Sequence, residues 1–313
     1  MFDSEFATAT TQVTDGAVVC ALIGQGITRS LTPPMHEREA AAQGIDYTYL
    51  TLDVRSSAID SIDLADVLDR ARRAGMRGLN VTHPFKQRII AHLDELSPDA
   101  RRLGAVNTVV FDDAGRTVGH NTDWSGFARN FDLHFGAESR EPVSRTSVVQ
   151  LGAGGAGSAV AYAMLSRGVD RFHLVDHDPT RADTLAATLR PMFADVEITA
   201  SGTADAIDRI ADADGLVHAT PIGMAAHPGM AIDASALRPD LWVAEVVYRP
   251  VVTELIATAR TIGARTLTGD GMAVHQAVDA LALFAGIEPD ADRMTRHIGE
   301  LIAAEDAGLR RSA

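Results

Sequence analysis

A chain of 313 residues is long enough for two domains of ordinary size, each with its own core. Its net charge of −14 repels a phosphodiester backbone, so no nucleic-acid partner is expected, and an anionic small molecule must be met by local hydroxyls, a lysine or helix ends rather than by a basic patch. No apolar run reaches the roughly 18 residues a membrane span needs, and the single cysteine, Cys20, cannot form an internal disulfide.

Residues 1–16, "MFDSEFATATTQVTDG", have neither the basic nor the apolar segment of an export signal and read as a flexible leader. "AVVCALIG" (17–24) follows as a buried strand, and Cys20 within it reads as a small hydrophobe of a reducing cytoplasm. In "TRSLTPPMHEREAAAQG" the proline pair suits a helix's first turn, Thr32 is the predicted N-cap and Gly44 the stop signal. Ser30 and Thr32 beside that helix start make a carboxylate site; plain capping accounts for Thr32 without requiring Ser30, and on spacing alone the two readings weigh equally. "DYTYLTLDV", "LADVLDRARRAG" and "RGLNVTH" continue the alternation of strand and helix, which predicts βαβ units and a mainly parallel sheet.

"NVTHPFKQR" then brings Lys86, the only lysine against 27 arginines. Either residue serves as a solvated surface charge, but guanidinium stays protonated where ammonium does not, so a retained lysine points to an amine that exchanges a proton. Composition marks 130–145, "NFDLHFGAESREPVSR", as a domain boundary.

A second start follows in "RTSVVQLGAGGAGSAVAYAMLSRGVDRFHLVDHD". Gly152, Gly154 and Gly157 form G-x-G-x-x-G directly after an apolar strand and open a helix, the dinucleotide-binding context; the loop also includes Ala153, Gly155 and Ala156. Asp176 ends the next strand, 19 residues beyond Gly157, where a carboxylate accepts from the adenosine ribose hydroxyls and repels a 2′-phosphate, so NAD is favoured over NADP. Asp178 adds a second carboxylate, and Arg181 is the one feature favouring a phosphate. "GMAVHQAVDALALFAG" and "DADRMTRHIGELIAAEDAGL" close the chain as helices that, by pattern alone, fit either domain. No His/Cys/Asp cluster has metal-ligand spacing, so no metal is expected.

"SLTPPMH", "NVTHPFK", "LGAVNTVV", "GHNTDWSGF", "GAGGAG", "ATPIGM", "VVYRP" and "GMAVHQAVDAL" stand in an order and spacing that resemble the shikimate/quinate dehydrogenase family, over roughly residues 18–290. The resemblance implies an open α/β substrate domain, 17–121 plus the returning C-terminal helices 268–313, and an inserted Rossmann NAD-binding domain, 122–267. By matched position it implies that Ser30 and Thr32 bind the substrate carboxylate and that Thr82, Asn107 and Gln276 surround the ring hydroxyls. Lys86 and Asp123 match the catalytic pair, a coupled unit, Tyr248 and Gly269 match positions beside substrate and nicotinamide, and Thr220 matches a cofactor-binding position. His83 and His275 adjoin matched positions and read as packing or supporting residues.

Two departures bear on the cofactor and route. NADP-using members carry Asn-Arg-Thr where this chain has Asp176-His177-Asp178, and Thr32 stands where many shikimate-specific members have serine. Both look like the NAD-dependent enzymes of bacterial quinate utilisation. The implied activity is reversible oxidation of quinate or shikimate, a polyol carboxylate, to the 3-dehydro ketone, by a monomer or homodimer. The alternatives are a biosynthetic shikimate or aminoshikimate-type dehydrogenase and a non-catalytic NAD or quinate sensor.

Overall fold

Two units divide the chain, Met1–Thr122 with Val274–Ala313, and Asp123–Ala273. The computed structural model describes residues 2–14, 16–136, 138 and 143–312, with 306–312 by backbone alone. The first unit runs α1 (Asp3–Gln12), β1 (Val18–Gly24), α2 (Thr32–Ala42), β2 (Tyr47–Asp53), α3 (Leu64–Arg73), β3 (Gly78–Val81), β4 (Glu95–Leu96), α4 (Pro98–Leu103), β5 (Thr108–Phe111) and β6 (Thr117–His120). Its sheet has the order β2-β1-β3-β5-β6-β4.

β1 is buried along nearly its whole length and pairs in parallel with β2 and β3, as a near-continuous apolar run requires. The expected parallel pattern breaks at β5, which is antiparallel to both β3 and β6. Between β5 and β6 the cause is local: Asp112 accepts the backbone N–H groups of Ala114 and Arg116, and Gly115 takes φ +76°, closing a hairpin.

The expected flexible leader is instead α1. Phe2, Phe6 and Ala9 recur at helical spacing and are buried with Leu64, Val67 and Leu68 of α3, while Arg70 lies 4.5 Å over the Phe6 ring and pairs with Asp3. That stripe is hidden in a hydroxyl-rich sequence of low helix propensity, which tertiary burial overrides. Met1 and Asp15 of the same stretch lie outside the described residues.

The second unit begins within α5 (Thr122–Phe135) and continues β7 (Ser147–Leu151), α6 (Gly155–Leu165), β8 (Arg171–Val175), α7 (Pro179–Leu189), β9 (Glu197–Ser201), α8 (Ala206–Ala211), β10 (Gly215–His218), β11 (Trp242–Glu245), α9 (Glu254–Ile262) and β12 (Thr266–Leu267). Of the compositional boundary at 130–145, residues 130–135 complete α5, and 137 and 139–142 lie outside the described residues. All strands of this sheet are parallel in the order β12-β11-β10-β7-β8-β9. Numbered within the unit, that is 3-2-1-4-5-6, the doubly wound dinucleotide-binding order, whose ligand crevice lies at the carboxyl ends of the strands where the order reverses.

α10 (Asp270–Ala285) and α11 (Ala291–Ser312) return the chain to the first unit. Glu39 of α2, fully buried, holds this return: it accepts from Arg293 Nε and Nη2, both at 2.6 Å, from the Asp290 N–H at 2.9 Å and from Gln43 at 2.7 Å. Among the described residues no helix is long and apolar enough to cross a membrane.

Candidate active site

In the second unit the residues assigned to the cofactor, Arg181 within α7 aside, follow carboxyl ends of strands: the glycine loop after β7, Asp176 after β8, Thr220 after β10 and Gly269 after β12; the substrate residue Tyr248 follows β11. The sheet order therefore collects on one edge what the sequence spreads over 118 positions, from Gly152 to Gly269.

The glycines have distinct reasons. Gly152 takes φ +100°, and a Cβ there would meet the Ala219 carbonyl oxygen at 2.5 Å. A Cβ on Gly157 would strike the Gly152 carbonyl, so helix and strand approach only because it is absent. At Gly154, the N-cap of α6, a Cβ would meet only the Arg181 guanidinium, at 3.2 Å, and no side chain caps the helix among the described residues. The α6 N–H groups thus face space that one movable arginine borders, an arrangement suited to a pyrophosphate.

Asp176 is buried, its Oδ2 accepting the Ala153 N–H at 2.8 Å and its Oδ1 the Asp178 N–H at 3.1 Å. His177 Nδ1 lies 2.7 Å from the same Oδ1. Burial pushes this carboxyl up, but the two backbone N–H groups, Arg181 and His177 outweigh it and hold its pKa below the usual carboxylate value. Of a carboxylate's roughly four acceptor positions, one on Oδ2 remains for a ribose hydroxyl. Asp178 is committed to capping α7 through the Thr180 N–H.

In the first unit, Thr82 and Lys86 follow the carboxyl end of β3, Ser30 lies between β1 and α2, and Thr32 opens α2. Thr82 donates its N–H to Ile23 O at 2.9 Å, and a Cβ on Gly24 would clash with its methyl group. Fully buried Phe85 anchors the turn, and the Lys86 carbonyl accepts the Val106 N–H at 2.8 Å, so half-buried Lys86 is held by backbone on a fixed loop. Asn107 reaches the same edge because β5 runs antiparallel to β3. Its Oδ1 accepts the Thr122 N–H at 2.7 Å, and its Nδ2 donates to Thr122 Oγ1 at 2.9 Å. Gln276 is half-buried on α10, His275 beside it is buried, and His83 is exposed, which removes a packing role for it.

Thr32 is not the N-cap of α2. It is the first helical residue, and Ser30 Oγ accepts its N–H at 3.3 Å. Pro33 and Pro34 carry no N–H, so few backbone donors remain at this helix start and an anion there must be met by the two hydroxyls. Asp123 is the second residue of α5 and buried. Cys20 is fully buried, which pushes its thiol pKa up to about 12 and leaves it inert at neutral pH.

The pattern of the shikimate dehydrogenase substrate binding domain matches residues 22–109. A shikimate dehydrogenase (NADP(+)) of Pseudarthrobacter chlorophenolicus is 52% identical over 286 residues, 91% of this chain and 95% of that protein. A quinate/shikimate dehydrogenase (NAD(+)) of Corynebacterium glutamicum is 48% identical over 278 residues, 89% of this chain and 96% of that protein. The chain belongs to the shikimate/quinate dehydrogenase family. Among solved structures, a quinate dehydrogenase from Corynebacterium glutamicum in complex with NAD matches with a TM-score of 0.85 at 46% identity, covering 91% of this chain and 99% of that one.

The family's architecture is therefore this chain's: a substrate-binding domain completed by returning C-terminal helices, and a Rossmann domain for a nicotinamide dinucleotide. It is an oxidoreductase. Two supports of the dehydrogenase site were not singled out from sequence. Asn80, two positions before Thr82 and on the same strand face, accepts from the Tyr49 hydroxyl at 2.6 Å and donates to the Asn107 carbonyl and to Thr108 Oγ1; an asparagine inside an apolar strand was the available signal. Gln150, fully buried at the end of β7, donates to the carbonyls of Gly152 and Gly157, both at 2.8 Å, and so latches the glycine loop to its own strand.

Proposed function

We propose that this enzyme prefers NAD and oxidises a ring secondary alcohol of quinate or shikimate reversibly to the 3-dehydro ketone. Relatives named for NAD and for NADP are nearly equally similar, so the cofactor preference rests on this chain's residues. The observation that carries it is Asp176: a buried carboxylate with depressed pKa at the end of β8, fixed by two backbone N–H groups, where a 2′-phosphate would meet like charge. Gly152 to Gly157, with Ala153, Gly155 and Ala156 between the motif glycines, form the pyrophosphate cradle, and Arg181 is the residue through which residual NADP use would run.

When bound, the dinucleotide supplies the hydride acceptor. The chain's own residues bind the substrate and handle its proton. Ser30 and Thr32 hold the carboxylate, Thr82, Asn107 and Gln276 hold the ring hydroxyls, and Tyr248 is a further substrate residue, so that a ligand lacking a hydroxyl leaves a polar group unpaired. The alcohol proton passes to Lys86, the only side chain of its type in the protein, with Asp123 the second member of the catalytic pair. Nothing in this chemistry requires a metal. Steady-state kinetics with quinate and shikimate, each against NAD and NADP, test the reading. A kcat/KM for NADP equal to that for NAD refutes the cofactor preference. Ligand binding without reduction of NAD would refute the enzyme in favour of a sensor.

A further inference from the structure

Two ionisable side chains in the Rossmann domain take no part in the function so far derived, and both are placed where burial is costly unless they are paired. His218 is the last residue of β10 and Glu245 the last of β11; they stand opposite each other in register, each 1% exposed. Apolar side chains would fill this space without a desolvation cost.

The hydrogen bonds show what the pair holds. Glu245 Oε1 accepts the N–H groups of Val246 and Val247, both at 2.9 Å, and Oε2 accepts the Thr253 hydroxyl at 3.1 Å. His218 Nδ1 lies 2.8 Å and 3.0 Å from the two carboxylate oxygens, and His218 Nε2 lies 2.5 Å from Thr220 Oγ1. The Thr220 oxygen also accepts the Ile222 N–H at 3.2 Å.

A carboxylate only accepts, so the Nδ1 side of the imidazole donates to Glu245, and its Nε2 side holds the Thr220 hydroxyl. With the Ile222 N–H donating to the same oxygen, the Thr220 side chain is held from two sides.

Thr220 stands against the first glycine of the loop: a Cβ on Gly152 would meet its methyl group at 3.1 Å. We propose that His218 and Glu245 are positioning residues for the dinucleotide, fixing the Thr220 hydroxyl beside the glycine loop for a hydrogen bond to the bound cofactor. This rests on the dinucleotide-binding reading above, but not on its preference for NAD.

The test separates the two arms of the imidazole. Asn at 218 reaches the Nδ1 position and keeps Glu245 but loses Thr220; Gln reaches the Nε2 position and keeps Thr220 but loses Glu245; Phe loses both. Dinucleotide affinity is measured by calorimetry and stability by urea unfolding, on full-length protein without substrate. The expected result is a crossing of orders. His218→Gln retains near-parental affinity while losing more stability than His218→Asn, whereas His218→Asn and Thr220→Val each weaken binding by about tenfold or more, the scale of one hydrogen bond. Affinities that simply follow stability, or a Thr220→Val variant that binds as the parent does, overturn the inference. Thr220 is half-buried and its replacement isosteric, so parental binding by this variant overturns the inference even if the 218 series fails to fold. If the parent binds NADP and not NAD, the cofactor preference falls and the same comparison is made with NADP.

Discussion

Asp176→Asn is the most direct perturbation of cofactor choice, and the structure sets its size. The carboxylate receives the Ala153 and Asp178 N–H groups on different oxygens. An amide has one oxygen and one NH2, so whichever way it turns, one backbone N–H faces another donor, at a cost of about 1–3 kcal/mol of stability. The adenosine ribose loses a charged acceptor as well, about 1.5–3 kcal/mol, which is roughly 10- to 150-fold in NAD affinity. Because hydrogen bonding outweighs burial and holds the Asp176 pKa below the usual value, the carboxylate is ionised throughout the neutral range. Its contribution is complete above the unfolded-state pKa of about 3.9 and is lost only as pH falls through the lower folded value. Calorimetric titration with NAD and NADP at neutral pH reads the effect, and Asp176→Ser with His177→Arg is expected to move preference toward NADP. An Asp176→Asn variant that binds NAD as tightly as the parent refutes the assignment; if the double variant also fails to shift preference, Arg181 dominates.

Lys86→Arg is expected to lose about 10²-fold or more in kcat, the scale of a positioned acid–base group, while calorimetry shows NAD affinity near that of the parent; retention of most of the kcat would show that the lone lysine is not the proton acceptor. Ser30→Ala is expected to weaken binding of quinate and shikimate by about 1–3 kcal/mol in KM, and unchanged kinetics would place the carboxylate elsewhere. Glu39→Gln strips the charge from a fully buried partner of Arg293 and is expected to cost about 3 kcal/mol in urea unfolding at neutral pH. Burial raises the Glu39 pKa, but Arg293, the Asp290 N–H and Gln43 together bring it below the ordinary value, so the parent's advantage is full above the unfolded pKa and shrinks as acid titrates Glu39; an advantage unchanged into strong acid would refute the ionic origin.

What the sequence discloses and what it hides divide along the range of the interaction that matters. The glycine loop is legible because each glycine answers a constraint within a few residues: a positive φ at Gly152, contact with Gly152 itself at Gly157. Asp176 is legible because one strand–helix–strand unit fixes its offset from the loop. Cap assignment at α2 fails by one residue, Leu31 standing at the N-cap, since the prolines at 33 and 34 leave a capping Thr32 little to serve and Thr32's own N–H goes to Ser30. That failure strengthens the functional reading of the pair, because with one hydroxyl bonded only as an acceptor and no backbone donors on the prolines, both O–H groups remain to donate to an anion. α1 is hidden because its stripe has meaning only against α3, more than 50 residues away.

His218 and Glu245 mark the far end of that scale. They are 27 residues apart on parallel strands, and nothing near either of them in sequence calls for the other. Alone, "VHATP" offers a histidine at the end of an apolar strand and "VAEVV" an acid inside one, and each reads as an isolated anomaly. The register of β10 against β11 turns two costly burials into one satisfied pair. Glu245 also accepts the Val246 and Val247 N–H groups and the Thr253 hydroxyl, so its own burial serves the turn after β11, whereas the outer arm of His218 serves one group alone. That group is the Thr220 hydroxyl, at the strand edge where the sheet order gathers the glycine loop, Asp176 and Gly269.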